Sequence, residues 1–298
     1  MSPGCASSVA NFFFMANLGR VETLDQFVKT VSALTRKWQG MWDPRKESAW
    51  LPWFRGEENA DWPTALKPKI YRTKHKLKEV LRQEQDLRLE FKRRGSQLAG
   101  ESKPADHWER YFLMEHYGVP TRLLDWSDGA LVALYFALKP VKSLHDAAVY
   151  MLDPWWLNKL VYKELPIAKA DRPIGTAMPD WEEAKPYLSE DEFENEYIGP
   201  KFPLAIDPSH VGRRFAAQRS RLTIFGPGVD GLAKICAKVP DDDCRLCKIP
   251  IKRAAVSAMR RDLAMCGISE STIFPDLEGF GRELNAMFQE LWVDMAPK

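Results

Sequence analysis

The sequence predicts an α+β fold: a core of short, mainly antiparallel strands surrounded by helices. Three observations carry this expectation. Apolar residues recur at helical spacing in separate segments, beginning with Leu24, Phe27, Val28, Val31, Leu34 and Trp38. Between such segments lie strand-like runs such as "AAVYMLD", "KFPLAID", "RLTIFG" and "CRLCKIPI". And the chain has no GxGxxG, Walker loop, HExxH or GxSxG, which argues against the Rossmann, P-loop, zincin and α/β-hydrolase solutions.

The elements follow in order. Thr23 and Gln26 form a candidate capping box for a first helix over 23–38. "SAWLPWFRGEENADWPTALKPKIYR" is dense in aromatics and broken by Pro52 and Pro63, which suits short strands and tight loops. A helix over about 78–94 carries Val80, Leu81, Leu87 and Phe91 against an otherwise charged surface. A second, over about 106–117, sets Trp108, Phe112, Glu115 and His116 on one side. Gly118 stands where a left-handed cap belongs, and Pro120 forbids continuation. "TRLLDW" then reads as a turn, with Ser127 or Asp128 able to cap a buried helix over 129–138. Asp153 and Pro154 open the helix "WWLNKLVY". Further helices are expected over about 209–218, 252–265 and 276–292. The organisation expected is a tail over 1–20, one domain over 21–290 with an irregular acidic insertion at about 163–200, and a tail over 291–298.

With 298 residues, 45% hydrophobic and 28% charged, the chain has the composition of a soluble globular protein. A net charge of only +2 excludes a general polycation. The charge is nevertheless uneven: Lys67 to Arg94 holds eleven Lys/Arg against four acids, and Asp180 to Glu196 eight acids against one Lys. A basic face of that kind attracts phosphates, although a charged helix also simply solvates its outer side. No apolar run reaches the ~20 residues of a membrane span, and "NFFFMANL" has no basic lead-in, so no membrane partner and no secretory signal are expected. Five cysteines at irregular spacing suggest reduced thiols and a cytoplasmic location. The Cys244/Cys247 pair has no second ligand pair in sequence, so no metal is expected.

Three segments combine polar groups with turns. In Phe54-Arg55-Gly56-Glu57, Arg55 offers a planar fork for phosphate or carboxylate, and Gly56 removes a side chain that would crowd a ligand. Pairing of Arg55 with Glu57, Glu58 or Asp125 is the structural alternative. In "EHYGVPTRLLDWSDG", His116 can serve as acid, base or orienter, while Arg122 and Asp125 suit a salt bridge that pins the loop. Tyr117, Thr121 and Ser127 can face a ligand, although Thr121 and Ser127 also read as turn and cap residues. In "FAAQRSRLTIF", Gln218 both donates and accepts, and Arg219 and Arg221 add positive charge.

These segments resemble the FRG domain family, which is marked by an initial Phe-Arg-Gly, a central "HYG-PTRLLDW" run leading into an "ALYFA" helix, and a later Gln before a "FTI"-like strand. The matching residues are "WFRGEENADWPTALKPKIYR", "EHYGVPTRLLDWSDGALVALYFAL" and "AAQRSRLTIFG", with "GISESTIFPDLEGF" similar to the family's closing motif. The resemblance runs from about residue 21 to 285, and Glu115 stands where the family usually has Gln.

The same order of motifs is remotely similar to ADP-ribosyltransferases, which implies their split sheet and NAD as a substrate. By that resemblance Arg55, with Gly56 beside it, would hold the pyrophosphate or ribose of NAD, and Ser127 or Thr121 the nicotinamide ribose, with Tyr117 and Arg122 lining the same wall. Gln218 would face the leaving group. The transferases' late Glu is absent, so Glu115 or Glu57 would substitute, or His116 would act with the arginines. Lys92, Arg93, Arg94, Arg219 and Arg221 would contact a nucleic-acid or protein acceptor. The activity implied is that of a toxin or antiviral effector. A noncatalytic nucleotide- or nucleic-acid-binding module is the alternative, and an architectural scaffold the third reading.

Overall fold

Six antiparallel strands in the order β4-β5-β2-β1-β3-β6 form one sheet with helices on both faces. The strands are β1 (Trp53–Glu57), β2 (Leu123–Ser127), β3 (Ala147–Leu152), β4 (Leu204–Ile206), β5 (Ser220–Ile224) and β6 (Leu246–Ile251). The helices are α1 (Leu24–Gln39), α2 (Leu77–Leu98), α3 (His107–His116), α4 (Ala130–Ala137), α5 (Pro154–Glu164), α6 (Arg213–Gln218), α7 (Gly231–Cys236), α8 (Val256–Met265), α9 (Glu270–Ile273) and α10 (Leu277–Phe288). The computed structural model describes residues 18–40, 51–98, 104, 106–139, 144–164, 201–206 and 213–289. Most of the expected tails and nearly all of the expected acidic insertion lie outside them. No helix of the described residues is long and apolar enough to cross a membrane.

Alternation along the strands builds two cores. Trp53, Ala148, Tyr150, Leu152 and Leu246 pack with Val80 of α2, with Trp108, Tyr111, Phe112 and Met114 of α3, and with Trp156, Leu157 and Val161 of α5. Phe54, Val149, Met151, Cys247, Ile249 and Ile251 face the other way, onto α4, onto Phe27 and Trp38 of α1, and onto Val256, Met259 and Leu263 of α8. α4 is apolar all round, as a helix must be when protein surrounds it. Cys244 packs against the first core and Cys247 belongs to the second, so the CxxC pair is divided between the two.

"TRLLDW" is not a turn. Leu123 to Ser127 form a central strand, paired with β5 at five register positions. Two charges in a short apolar run disguise the alternation, because both are stabilised by partners from distant segments. Gly56 also differs from expectation. A Cβ there would lie 1.9 Å from the Ala133 carbonyl oxygen and 2.5 Å from the Ala137 nitrogen, so its missing side chain lets α4 rest on the sheet rather than admitting a ligand. Gly118 does adopt the left-handed conformation (φ 73°) that ends α3. At the start of α4, the N-cap is Gly129 with no side-chain cap; Ser127 Oγ accepts from the Gly129 N–H at 3.0 Å and so fixes the turn instead.

The centre of the sheet is weakly laced. β1 pairs with β3 at five positions but with β2 at one, Phe54 opposite Ser127. The sheet is therefore two three-stranded halves, β4-β5-β2 and β1-β3-β6, meeting at a single rung.

Candidate functional site

The opening seam between β1 and β2 is occupied by Arg55. Its Nη1 donates to the Asp125 carbonyl at 2.8 Å, in place of a backbone ladder bond. Its Nε and Nη2 hold Glu57 Oε1 at 2.9 and 2.7 Å, and Nε also reaches the Ala65 carbonyl at 3.3 Å. Arg72 comes in from the turn after residues 69–71, with Nη2 3.7 Å from the same Glu57 oxygen and Nε on the Lys67 carbonyl at 3.0 Å. Its guanidinium also lies over the Trp62 ring, 5.9 Å from the centroid.

Across the recess, the end of α3 presents Glu115. Thr121 Oγ1 donates to Glu115 Oε2 and itself accepts from the Leu123 N–H at 3.1 Å, which fixes the carboxyl at the mouth of β2. Glu115 is hydrogen-bonded to the Asp125 carboxyl, and Asp125 is the one residue of β2 that is open to solvent. Two arginines thus meet three carboxyl groups: Arg55 and Arg72 against Glu57, Glu115 and Asp125. The charges balance when one carboxyl keeps its proton.

The titration behaviour follows from that count. Glu115 is pushed well above the usual carboxyl range, first by burial and then by the neighbouring Asp125 charge. Asp125 is raised by burial, with Arg55 opposing the shift. Burial works against the charge on Arg55, but Glu57 and Asp125 more than offset it. Arg72 is lowered, by burial and then by Arg55. Both carboxyls of the pair are held above their usual range, and Asp125 is the member open to solvent.

A second ionic group lies next to this one in sequence. Arg122, fully buried, places Nε on Glu84 Oε2 at 2.7 Å and its backbone N–H on Glu84 Oε1 at 3.1 Å and on Tyr111 Oη at 2.8 Å. The Tyr111 hydroxyl donates to Glu84. Arg122 is thus a core strut rather than a wall of the recess. A third group closes the far end of β2, where Ser127 Oγ donates to the Gln218 carbonyl at 2.7 Å. The Gln218 amide reaches the Ile273 carbonyl at 3.5 Å, and Asp128 pairs with Arg219 and with Arg221 Nη2 (2.7 Å).

Of the residues singled out from the sequence, Arg55, Glu115 and Thr121 converge on one recess. His116 follows on the same helix end, its ring edge-on to exposed Tyr117 at 5.4 Å. Ser127, Gln218, Arg219 and Arg221 gather at the far end of β2, and Gly56 and Arg122 answer to packing. On α2, Arg93 and Arg94 both pair with Glu90, at 2.7 and 3.3 Å, while Lys92 lines a groove against α3. Sequence reasoning passed over Arg72 and gave Asp125 only structural roles, as a pin with Arg122 or as a partner of Arg55. The surplus of acid over base near "FRGEE" and "LLDW" was the available signal.

The class of protein is then an antiparallel α+β domain whose charged recess sits where its central strands part. Residues 51–146 match the family model of the FRG domain, so the chain carries an FRG domain over that span. The match holds β1, α2, α3, β2 and α4, and with them every residue of the recess; Gln218, Arg219 and Arg221 lie beyond it. No curated protein and no solved structure matches the chain.

Proposed function

We propose that the recess between β1 and β2 cleaves the N-glycosidic bond of NAD, passing the ADP-ribosyl group to an acceptor or to water. The observation that carries this reading is the juxtaposed carboxyl pair Glu115 and Asp125, both held above the usual range, with Asp125 open to solvent beside Arg55 and Arg72. Departure of nicotinamide leaves positive charge at the ribose C1, and a carboxylate held at that point lowers the barrier. Asp125 takes that role. Neutral Glu115 hydrogen-bonds a ribose hydroxyl, so that the sugar is oriented without a second negative charge. The Gln usual in the family at this position is a neutral group of the same shape, which fits a Glu that keeps its proton. Arg72, only loosely engaged with Glu57, turns its remaining N–H groups to the pyrophosphate, while Arg55 braces the floor.

The test is nicotinamide release by the purified protein, alone and with RNA, DNA or lysate. Asp125→Asn is expected to cost at least ~100-fold, of the order seen on removing a transition-state electrostatic group. Glu115→Gln is expected to keep most of the rate. Absence of NAD binding and consumption under every condition overturns the reading. A toxin or antiviral role would follow from such an activity, with NAD loss or a modified nucleic acid or protein as its effect.

A further inference from the structure

The groove between α2 and α3 carries a charge that the recess chemistry does not use. It forms a pocket of about 250 Å³ lined by Gln85, Arg88, Leu89, Lys92, His107, Arg110, Tyr111 and Met114. Three permanent cations and one histidine line it, with no carboxylate among the lining residues. Arg88 lies over the Tyr111 ring, 5.9 Å from its centroid, which holds one guanidinium against the wall. Arg110 Nε is buried and has no hydrogen-bond partner among the described residues. A buried donor of a charged group left in this way costs free energy unless an acceptor arrives.

We propose that this groove is a phosphate-binding site and that its occupant is a phosphate of a nucleic-acid strand. The volume falls below the ~300–1,000 Å³ of pockets that engulf a drug-sized ligand, and it suits one phosphate with its sugar. Arg88 and Arg110 supply the anion contacts, and Tyr111, Met114 and half-exposed Leu89 supply an apolar wall for the sugar. Phosphate held here is tied to the core, because the Tyr111 hydroxyl bonds Glu84, which fixes Arg122 beside Thr121. The proposal does not depend on turnover in the recess, since its readout is binding.

The experiment is fluorescence anisotropy with a labelled 12-nucleotide single-stranded RNA, carrying either a 5′-phosphate or a 5′-hydroxyl, across a salt series. The Arg88→Gln/Arg110→Gln double variant is expected to weaken binding at least ~10-fold at low salt and to reduce the salt slope by ~1.4, two contacts at ~0.7 each. A preference for the 5′-phosphorylated strand assigns the site to a strand end, and equal binding assigns it to an internal phosphodiester; both support the proposal. Should the double variant fail to fold by circular dichroism, Arg110→Lys and Lys92→Gln are measured singly, and each is expected to weaken binding. Binding left unchanged by the variants, or capture of a phosphoserine peptide with no binding of RNA, overturns the proposal.

Discussion

Two ionic clusters share the segment from Glu115 to Asp125, and they are built on opposite terms. Around Arg122 every charge is sealed: the Arg122 and Glu84 side chains are 0% and 3% exposed, and one carboxylate faces one guanidinium. Around Arg55 the seal is partial, with Asp125 exposed and Arg72 part-exposed while Glu57 is buried, and acids outnumber bases by three to two. The sealed cluster fixes how α2, α3 and β2 meet. The open one holds one more carboxyl than it has guanidinium groups to pair with. A buried ion pair with complementary partners is a strut, whereas one with a surplus carboxyl at an opening is a candidate for chemistry.

The comparison breaks most sharply at Glu84. Glu84→Ala leaves Arg122 as a buried charge without its carboxylate, and a loss of about 3–5 kcal/mol is expected, read from urea unfolding. Gly56→Ala is next, because a Cβ forces α4 off the strand; a cost of at least ~1–3 kcal/mol is expected in the same measurement.

Glu115→Gln should act in the opposite direction. A carboxyl whose folded value is raised contributes stability that is present at acid pH and is lost as pH rises through that raised value. The wild-type protein should therefore lose stability as pH rises from the ordinary carboxyl range through the raised Glu115 value. The variant should flatten this slope and raise Tm at pH 8 by roughly 2–4 °C, with little change at pH 4, as followed by circular dichroism. The alkaline limb of any rate profile should flatten with it. A slope unchanged by the substitution would remove the proton from Glu115. The smallest effect is expected at Arg219, whose side chain is half exposed. Arg219→Gln should change stability by less than ~1 kcal/mol and salt should reduce even that, since exposed pairs contribute little.

The helices were legible because their signals are local. The Thr23 cap, the Trp108–Phe112 face, the Gly118 terminator and the apolar run of α4 each need only a few neighbouring residues to be read. β2 was not, because Arg122 finds its partner 38 residues earlier and Asp125 meets a guanidinium 70 residues away. Gly56 was misjudged for the same reason: what approaches it is a helix about eighty residues along the chain. The candidate site divided along that line. Arg55, Glu115 and Thr121 were recognised by residue type, whereas Arg72 became visible only when the turn after residues 69–71 brought it onto Glu57.

The single rung between β1 and β2 gives the middle of the sheet its greatest mechanical compliance. Three to six rungs hold each half's inner seams, but one backbone pairing and one guanidinium hold the two halves together. Any molecule that touches both Arg55 and Asp125 bridges that line and stiffens the whole domain. Occupancy of the recess is then readable at a distance, as slower amide exchange along β1 and β2.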